Sequence, residues 1–370
     1  MARPRQSIFD EEEEKQLIIP MTEFGIRMVT RNGEVTAVTS EFSNIRSLSL
    51  AERVVNELSH MDSEPYYEVR HDHGRSIFYR VVPSQLMKQM SKAWNGMSQI
   101  VSMVESGSER SVPKVRIASR LNVFQQAYSE LLTKYGSRIA KKDGFLLEKA
   151  SFEDFSKLSK ETFAGFKEAL ESPVVRKESK QAQTRMYRNR QSLFAYVDSL
   201  LTHYSKLYVV RVDLGYNPDS ARVPQKVTYS RAKRDFEKLM AHRHRKRMWK
   251  DDLVGFIWKL EDGAERRYHY HLLLFYDGER AEQHKEDQKL IHEQWINDLT
   301  EGDGACFISW EKAEETPLGV SPDGLIDRED HAKRKAILVY LDYLTRIDRL
   351  IGLEVPDNAR VFGKGQLPKS

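Results

Sequence analysis

Cysteine is almost absent from this chain: its 370 residues contain one, Cys306. A single cysteine excludes an intramolecular disulfide and favours a reducing compartment. The sequence also lacks any apolar run near the roughly 20 residues that a membrane-spanning helix needs. Its first residues lack the apolar core of a secretory signal peptide. We therefore expect a cytoplasmic protein that has no membrane as a partner.

A strong excess of one charge is also missing, since 59 Lys and Arg residues face 55 Asp and Glu residues. The basic residues are nevertheless concentrated, with nine of them and only two acidic residues between positions 231 and 250. Such a cluster attracts a polyanion, although a solvated helix face is the simpler alternative. We predict a basic helix over 230–247, capped by Ser230. The residues predicted to contact DNA are Arg231, Lys233, Arg234, Arg243, Arg245, Lys246 and Arg247.

The composition changes near residues 185–205, which predicts two parts, 1–190 and 191–370. The first part is mostly helical, with helices predicted over 48–60, 83–104, 118–134 and 152–171. Its role is not indicated by any motif. The segment His71-Asp72-His73 lies among charged residues next to Gly74, so we predict an exposed turn there.

Strand and helix patterns alternate in the second part. Strands are predicted over 207–214, 253–260, 268–275 and 305–310, and helices over 230–247, 284–299 and 331–351. This order predicts an α+β fold in which helices cover one face of an antiparallel, ferredoxin-like sheet.

The most informative segment runs from Tyr268 to Phe275, where two histidines alternate with bulky residues. Alternation in a strand places His269 and His271 on one face. Glu261 ends the preceding strand, and the Asp262-Gly263 turn brings its carboxylate beside the imidazoles. Two nitrogens and one carboxylate suit Mn²⁺, and Mg²⁺ at lower affinity, while zinc would bind in vitro. The alternative is a pair of strand histidines with satisfied hydrogen bonds.

A nucleophile for such a site is predicted on the helix over 331–351. Tyr340, Tyr343 and Arg346 follow one another at a spacing of three on a face beside an apolar stripe. A phenol is a poor nucleophile unless the phosphate is polarised or a cation stabilises the phenolate, which Arg346 could do. The alternative is that both aromatics belong to the core.

Three segments in this order resemble the rolling-circle, HUH-type endonucleases of replication initiators and relaxases. Strand 207–216 resembles the first motif of that family, Glu261 with His269-Tyr270-His271 its metal motif, and 343–346 its tyrosine motif. Residues 258–278, 343–348 and 360–365 more closely resemble the inovirus gene-II-like prophage proteins with a YagK/YfjJ C-terminal domain. This resemblance implies an HUH-type fold, with Glu261, His269 and His271 as ligands and Tyr343, rather than Tyr340, as nucleophile. The family often has lysine at the position of Arg346, and an arginine there cannot donate a proton.

The resemblance also implies that Tyr343 attacks single-stranded or origin DNA, forms a 5′-phosphotyrosine and frees a 3′-hydroxyl. The expected partners are a host polymerase, which extends that end, and a host helicase. We further expect Tyr208, Tyr268 and Tyr270 to stack on unpaired bases. Two alternatives remain, a non-catalytic DNA-binding regulator of a mobile element with the same fold, and a metal-dependent hydrolase that activates water.

Overall fold

The computed structural model describes most of the chain between residues 29 and 366. The described ranges are 29–31, 34–36, 40–73, 76–106, 115–141, 143–217, 227–242, 253–263, 267–279, 284–308, 320–353, 355–356 and 359–366. Within them the protein is α+β, as predicted, and its strands pair antiparallel. No helix within these ranges is both long enough and apolar enough to span a membrane.

The first part of the chain contains the predicted helices and also strands. The helices are α1 (Ser40–Ser59), α2 (Gln85–Ser106), α3 (Ser119–Ala127), α4 (Ser129–Ile139) and α5 (Lys149–Glu171). The strands are β1 (Val29–Arg31), β2 (Glu34–Thr36), β3 (Tyr66–His73), β4 (Ser76–Pro83), β5 (Val115–Ile117) and β6 (Phe145–Glu148). The prediction of a mostly helical region therefore holds only in part.

Strands β3, β4 and β6 form a three-stranded sheet that the sequence analysis missed. The segment His71-Asp72-His73 lies at the end of β3, where His71 pairs with Phe78, so the predicted exposed turn is wrong. Charged residues obscured the strand because much of it is exposed to solvent.

Helix α6 (Pro173–His203) links the two parts of the chain. Pro173 is its first residue, and the hydroxyl of Ser172 accepts a hydrogen bond from the amide of Val175, which caps the helix. The predicted division at residues 190 and 191 falls inside this helix and stays a prediction.

A six-stranded antiparallel sheet organises the second part. Its strands are β7 (Lys206–Tyr216), β8 (Leu253–Gly263), β9 (Arg267–Asp277), β10 (Gly304–Ile308), β11 (Gly324–Asp327) and β13 (Phe362–Lys364). The order is β10-β7-β9-β8-β13, and β11 also pairs with β7. The predicted antiparallel pairing is confirmed, and the ferredoxin-like arrangement stays a prediction.

Helices cover both faces of this sheet, so the prediction of helices on one face is wrong. Helices α6 and α9 (His331–Leu350) lie against the odd-numbered residues of β7 and β9, such as Val209 and Leu273. Helices α7 (Tyr229–His242) and α8 (His284–Glu293), with a π-helix at Gln294–Leu299, pack against the even-numbered residues. The strands carry apolar residues at consecutive positions because both of their faces are buried.

Helix α9 is buried around its whole circumference over most of its length. Every residue from Ala336 to Ile347 is buried, instead of the single stripe that its spacing predicted. At its end, β12 (Ile351–Leu353) pairs with β5, and Arg349 forms an ion pair with Glu52 of α1. The first part of the chain thus holds the C-terminal end of α9.

Candidate metal centre

Strand register brings the three predicted ligands together. Glu261 of β8 stands directly opposite His269 of β9, and His271 stands opposite Asp213 of β7. Because side chains alternate across a strand, these four residues share the sheet face that α9 covers. The same face also carries Arg211 of β7 and Lys259 of β8, and it becomes apolar farther along the strands, at residues such as Val209 and Leu273.

The distances within this group fit a cation site. The Oε2 atom of Glu261 lies 3.2 Å from His271 Nε2 and 3.7 Å from His269 Nε2. One ligand atom from each of the three residues falls within 4.8 Å of the others. The buried Oε1 atom of Glu261 makes no hydrogen bond within the described residues. Two imidazole nitrogens with a carboxylate therefore form a donor set that could hold a divalent metal.

Asp213 completes the group, and the sequence analysis missed it. Its Oδ1 atom lies 2.5 Å from Nδ1 of His271 and both side chains are buried. A carboxylate behind a ligating histidine fixes the ring and leaves the other nitrogen for a metal. The available signal was a lone acidic residue among apolar ones, in the segment Val210-Arg211-Val212-Asp213-Leu214.

A buried lysine adds a positive charge beside the carboxylate. Lys259 Nζ lies 3.5 Å from Glu261 Oε1 and 2.9 Å from Asp348 Oδ1, and it donates to the carbonyl of Leu344. Burial alone would raise the pKa of Glu261, but His271 and Lys259 hold that pKa well below its ordinary value. Glu261 is thus ionised and ready to bind a cation.

The carboxylates beside His271 raise its pKa, whereas the cations beside Glu261 lower the pKa of that residue. Burial lowers the pKa of His271, but Asp213 and Glu261 outweigh this effect and raise the pKa above its ordinary value. The raised pKa favours the protonated ring, whose two nitrogens face the carboxylates of Asp213 and Glu261. A metal that bound Nε2 would displace a proton from this ring.

Tyr343 extends from α9 toward the same group. Burial raises the pKa of Tyr343 well above its ordinary value, and the charges of Glu261 and Asp213 add to the effect, whereas Arg211 opposes it. The side chain is 4% exposed, and its ring centroid lies 6.2 Å from that of Tyr340. The phenol of Tyr343 is therefore neutral and enclosed.

The structure pairs the cations differently from the prediction. Arg346 Nε lies 2.5 Å from Asp342 Oδ2 on its own helix, and Arg190 of α6 lies 3.3 Å from the same carboxylate. Arg211 of β7 instead lies over the ring of Tyr340, with its Cζ atom 4.9 Å from the ring centroid. Its charge opposes the rise in the pKa of Tyr343. Sequence spacing pointed to Arg346 because both tyrosines share its helix.

Helix α7 carries the described part of the basic cluster. Lys233 and Arg234 are exposed, whereas Arg231 lies 2.9 Å from Asp303 Oδ2 and is mostly buried. The amide of Arg231 donates to Thr228, so the cap is Thr228 and not Ser230. The other predicted DNA contacts lie outside the described residues: Arg243, Arg245, Lys246 and Arg247.

The three tyrosines predicted to stack on bases are buried on the opposite face of the sheet. Tyr208, Tyr268 and Tyr270 are at most 7% exposed, and Tyr270 stacks on Phe236 of α7 at 3.9 Å. That prediction is wrong for the described structure, because these aromatics fill the second core.

Residues 161–301 of the chain match a known family model. The family is the YagK/YfjJ C-terminal domain. The resemblance to it is thus confirmed over that range, which contains Asp213 and the three candidate ligands. The match covers less than half of the chain and ends before Tyr343. Neither the curated proteins nor the solved structures provided a match.

Proposed function

We propose that the protein nicks and rejoins single-stranded DNA with Tyr343 as the nucleophile, and so initiates rolling-circle-type replication of a phage, prophage or related mobile element. The observation that carries this proposal is that the helix with the buried Tyr343 covers the sheet face of Glu261, His269 and His271, and that Lys259 contacts both Glu261 and the carbonyl of Leu344 on that helix. The expected metal is Mn²⁺ or Mg²⁺, whose chemistry is Lewis-acid polarisation of a phosphate.

Tyr343, Asp213 and Arg211 have separate roles in the proposed reaction. Tyr343 Oη attacks the phosphorus, the bond to the 3′-oxygen breaks, and the proton of the phenol passes to that oxygen. The products are a 5′-phosphotyrosine and a 3′-hydroxyl. Asp213 holds His271 in the required orientation, and Arg211 opposes the rise in the pKa of Tyr343. The reverse attack by a 3′-hydroxyl rejoins the strand without ATP.

Access of DNA requires a movement of α9. Tyr343, His269 and His271 are 4%, 4% and 6% exposed. A scissile phosphate reaches these groups only when the helix shifts away from the sheet. The reactive form of the protein is therefore a more open one, and DNA binding must supply the free energy of opening.

The same burial favours a second candidate function, a DNA-binding regulator that keeps the fold but does not cut. In that protein the polar group would stabilise the sheet face against α9, and the exposed basic residues of α7 would contact the backbone. This alternative predicts salt-dependent DNA binding without strand cleavage.

The decisive experiment is a covalent-adduct assay. The full chain is incubated with Mn²⁺ and a pool of labelled single-stranded oligonucleotides, then analysed by denaturing electrophoresis. We expect label to remain with the protein, to disappear when the metal is chelated, and to disappear in Tyr343→Phe.

Tyr340→Phe is the matched control, because it removes a buried hydroxyl one turn away on the same helix. It should retain the adduct. Loss of the adduct in Tyr340→Phe alone would transfer the nucleophile assignment to Tyr340. Cleavage without any adduct would favour water as nucleophile, and absence of cleavage in a preparation that binds metal would favour the regulator.

A further inference from the structure

A cavity of about 560 Å³ lies apart from the candidate metal centre, where the C-terminal end of α9 meets α1, α3 and α6. Its volume is within the range of roughly 300–1,000 Å³ typical of small-molecule sites. The proposed nicking reaction uses no residue that lines it.

Three carboxylates line the cavity, and each already has a partner. Glu52 pairs with Arg349, and Glu178 accepts a hydrogen bond from Ser119. Asp348 lies 2.9 Å from Lys259 Nζ. The negative charges on the wall are therefore compensated by groups of the protein itself.

The positive charges are less well compensated. Arg120 donates to the neutral Oδ1 atom of Asn56 at 3.1 Å, and Arg185, on α6, makes no ion pair within the described residues. Burial lowers the pKa of Arg120, Glu52 opposes that change, and the nearby charge of Arg349 adds to it. Arg120 is thus partly buried and hydrogen-bonded to a neutral amide oxygen, so an anion in the cavity would add a charged partner.

The remaining wall combines aliphatic and polar side chains. Val55, Leu121 and Leu353 line the cavity together with Asn56, Ser119 and Gln183. A partly apolar wall that also carries guanidinium groups suits a ligand that has a flat apolar part and a phosphate, because arginine binds phosphate with paired N–H groups.

We propose that this cavity binds a nucleoside phosphate, whose phosphate groups contact Arg120 and Arg185 and whose base packs on Leu353. The volume of about 560 Å³ matches one nucleotide better than a DNA strand. The site is therefore distinct from any backbone contact made by the basic helix.

Calorimetry with the full chain tests the proposal. ATP, GTP, CTP and UTP are titrated singly, with adenosine and inorganic tripolyphosphate as partial ligands. We expect at least one nucleotide to bind with a dissociation constant below about 1 mM, and each partial ligand to bind at least about tenfold more weakly. Arg120→Gln and Arg185→Gln should each weaken binding about tenfold, since each removes a charge-assisted contact.

Arg188→Gln is the matched control, because Arg188 is exposed on the same helix and does not line the cavity. It should bind like the wild type. The proposal fails if no nucleotide binds, if tripolyphosphate binds as tightly as the nucleotides, or if the control weakens binding as much as Arg185→Gln. Displacement of bound nucleotide by a short oligonucleotide at equal phosphate concentration would also overturn it, by identifying the ligand as a DNA strand.

Discussion

His271 Nδ1 lies 2.5 Å from Asp213 Oδ1, so a carboxylate on β7 orients an imidazole on β9. The two residues are 58 positions apart in the chain and meet through antiparallel register. This contact leaves Nε2 directed at Glu261 and makes the group suited to a metal.

Asp213→Asn should weaken Mn²⁺ binding by about 10- to 100-fold, because the amide no longer fixes the charge and tautomer of His271. His271→Ala should weaken it further. Titration calorimetry or electron paramagnetic resonance of Mn²⁺ measures the effect. Asp277→Asn, at the far end of β9, should leave affinity unchanged. Equal affinity for Mn²⁺ in Asp213→Asn and wild type would exclude the orienting contact.

Lys259→Met should lower the free energy of unfolding by about 3 kcal/mol, because it leaves the carboxylates of Glu261 and Asp348 without their buried cation. Urea denaturation provides the measurement. Lys233→Met is the comparison, and its exposed side chain predicts a change within about 0.5 kcal/mol. Similar losses in both variants would mean that the buried ion pairs contribute little.

Lys233→Gln should reduce the salt dependence of DNA binding by about one unit of slope, as expected when one phosphate contact is lost. Arg231→Gln should leave that slope unchanged, since Arg231 is bound to Asp303 and Asp235. It should instead reduce the free energy of unfolding by about 2 kcal/mol. Fluorescence anisotropy at several salt concentrations separates the two. The reverse pattern would assign the DNA contact to Arg231.

Gly363→Ala should destabilise the protein by about 1–3 kcal/mol, since a Cβ there would lie 2.5 Å from Nε1 of Trp258 and push β13 from the sheet edge. Gly165→Ala, in the middle of α5, meets no atom within 4 Å and should stabilise the helix by about 0.5–1 kcal/mol. Thermal unfolding of the pair gives opposite shifts in Tm. A neutral Gly363→Ala would show that the edge strand yields easily.

Local pattern predicted the strand with His269 and His271, because a period of two is a property of neighbouring residues. It also placed Glu261 correctly, since β8 and β9 are close in the chain and pair antiparallel, although Asp262 and Gly263 belong to the strand and not to the predicted turn. Asp213 and Lys259 were missed because their partners come from elsewhere in the chain. Charge in a strand does not reveal which distant residue will neutralise it.

Layer arrangement was harder to predict than the elements themselves. Consecutive apolar residues such as Val209 and Val210 indicate burial on both faces, yet β-α-β-β order suggested a sheet covered on one side. The side chain of Tyr270 has an aromatic ring and a polar hydroxyl, so it suits both stacking on a nucleic-acid base and packing in a core. Contact with Phe236 decides in favour of the core.

Strands β5 and β12 anchor the C-terminal end of α9, and the amide of Ala118 donates to the carbonyl of Leu350 at this joint. If the joint stays intact while the helix opens, it acts as a pivot. At about 1.5 Å of rise per residue, Tyr343 lies about 10 Å from the pivot and Tyr340 about 15 Å. A given rotation would therefore carry Tyr340 about half as far again as Tyr343, so the proposed nucleophile is also the tyrosine that moves less.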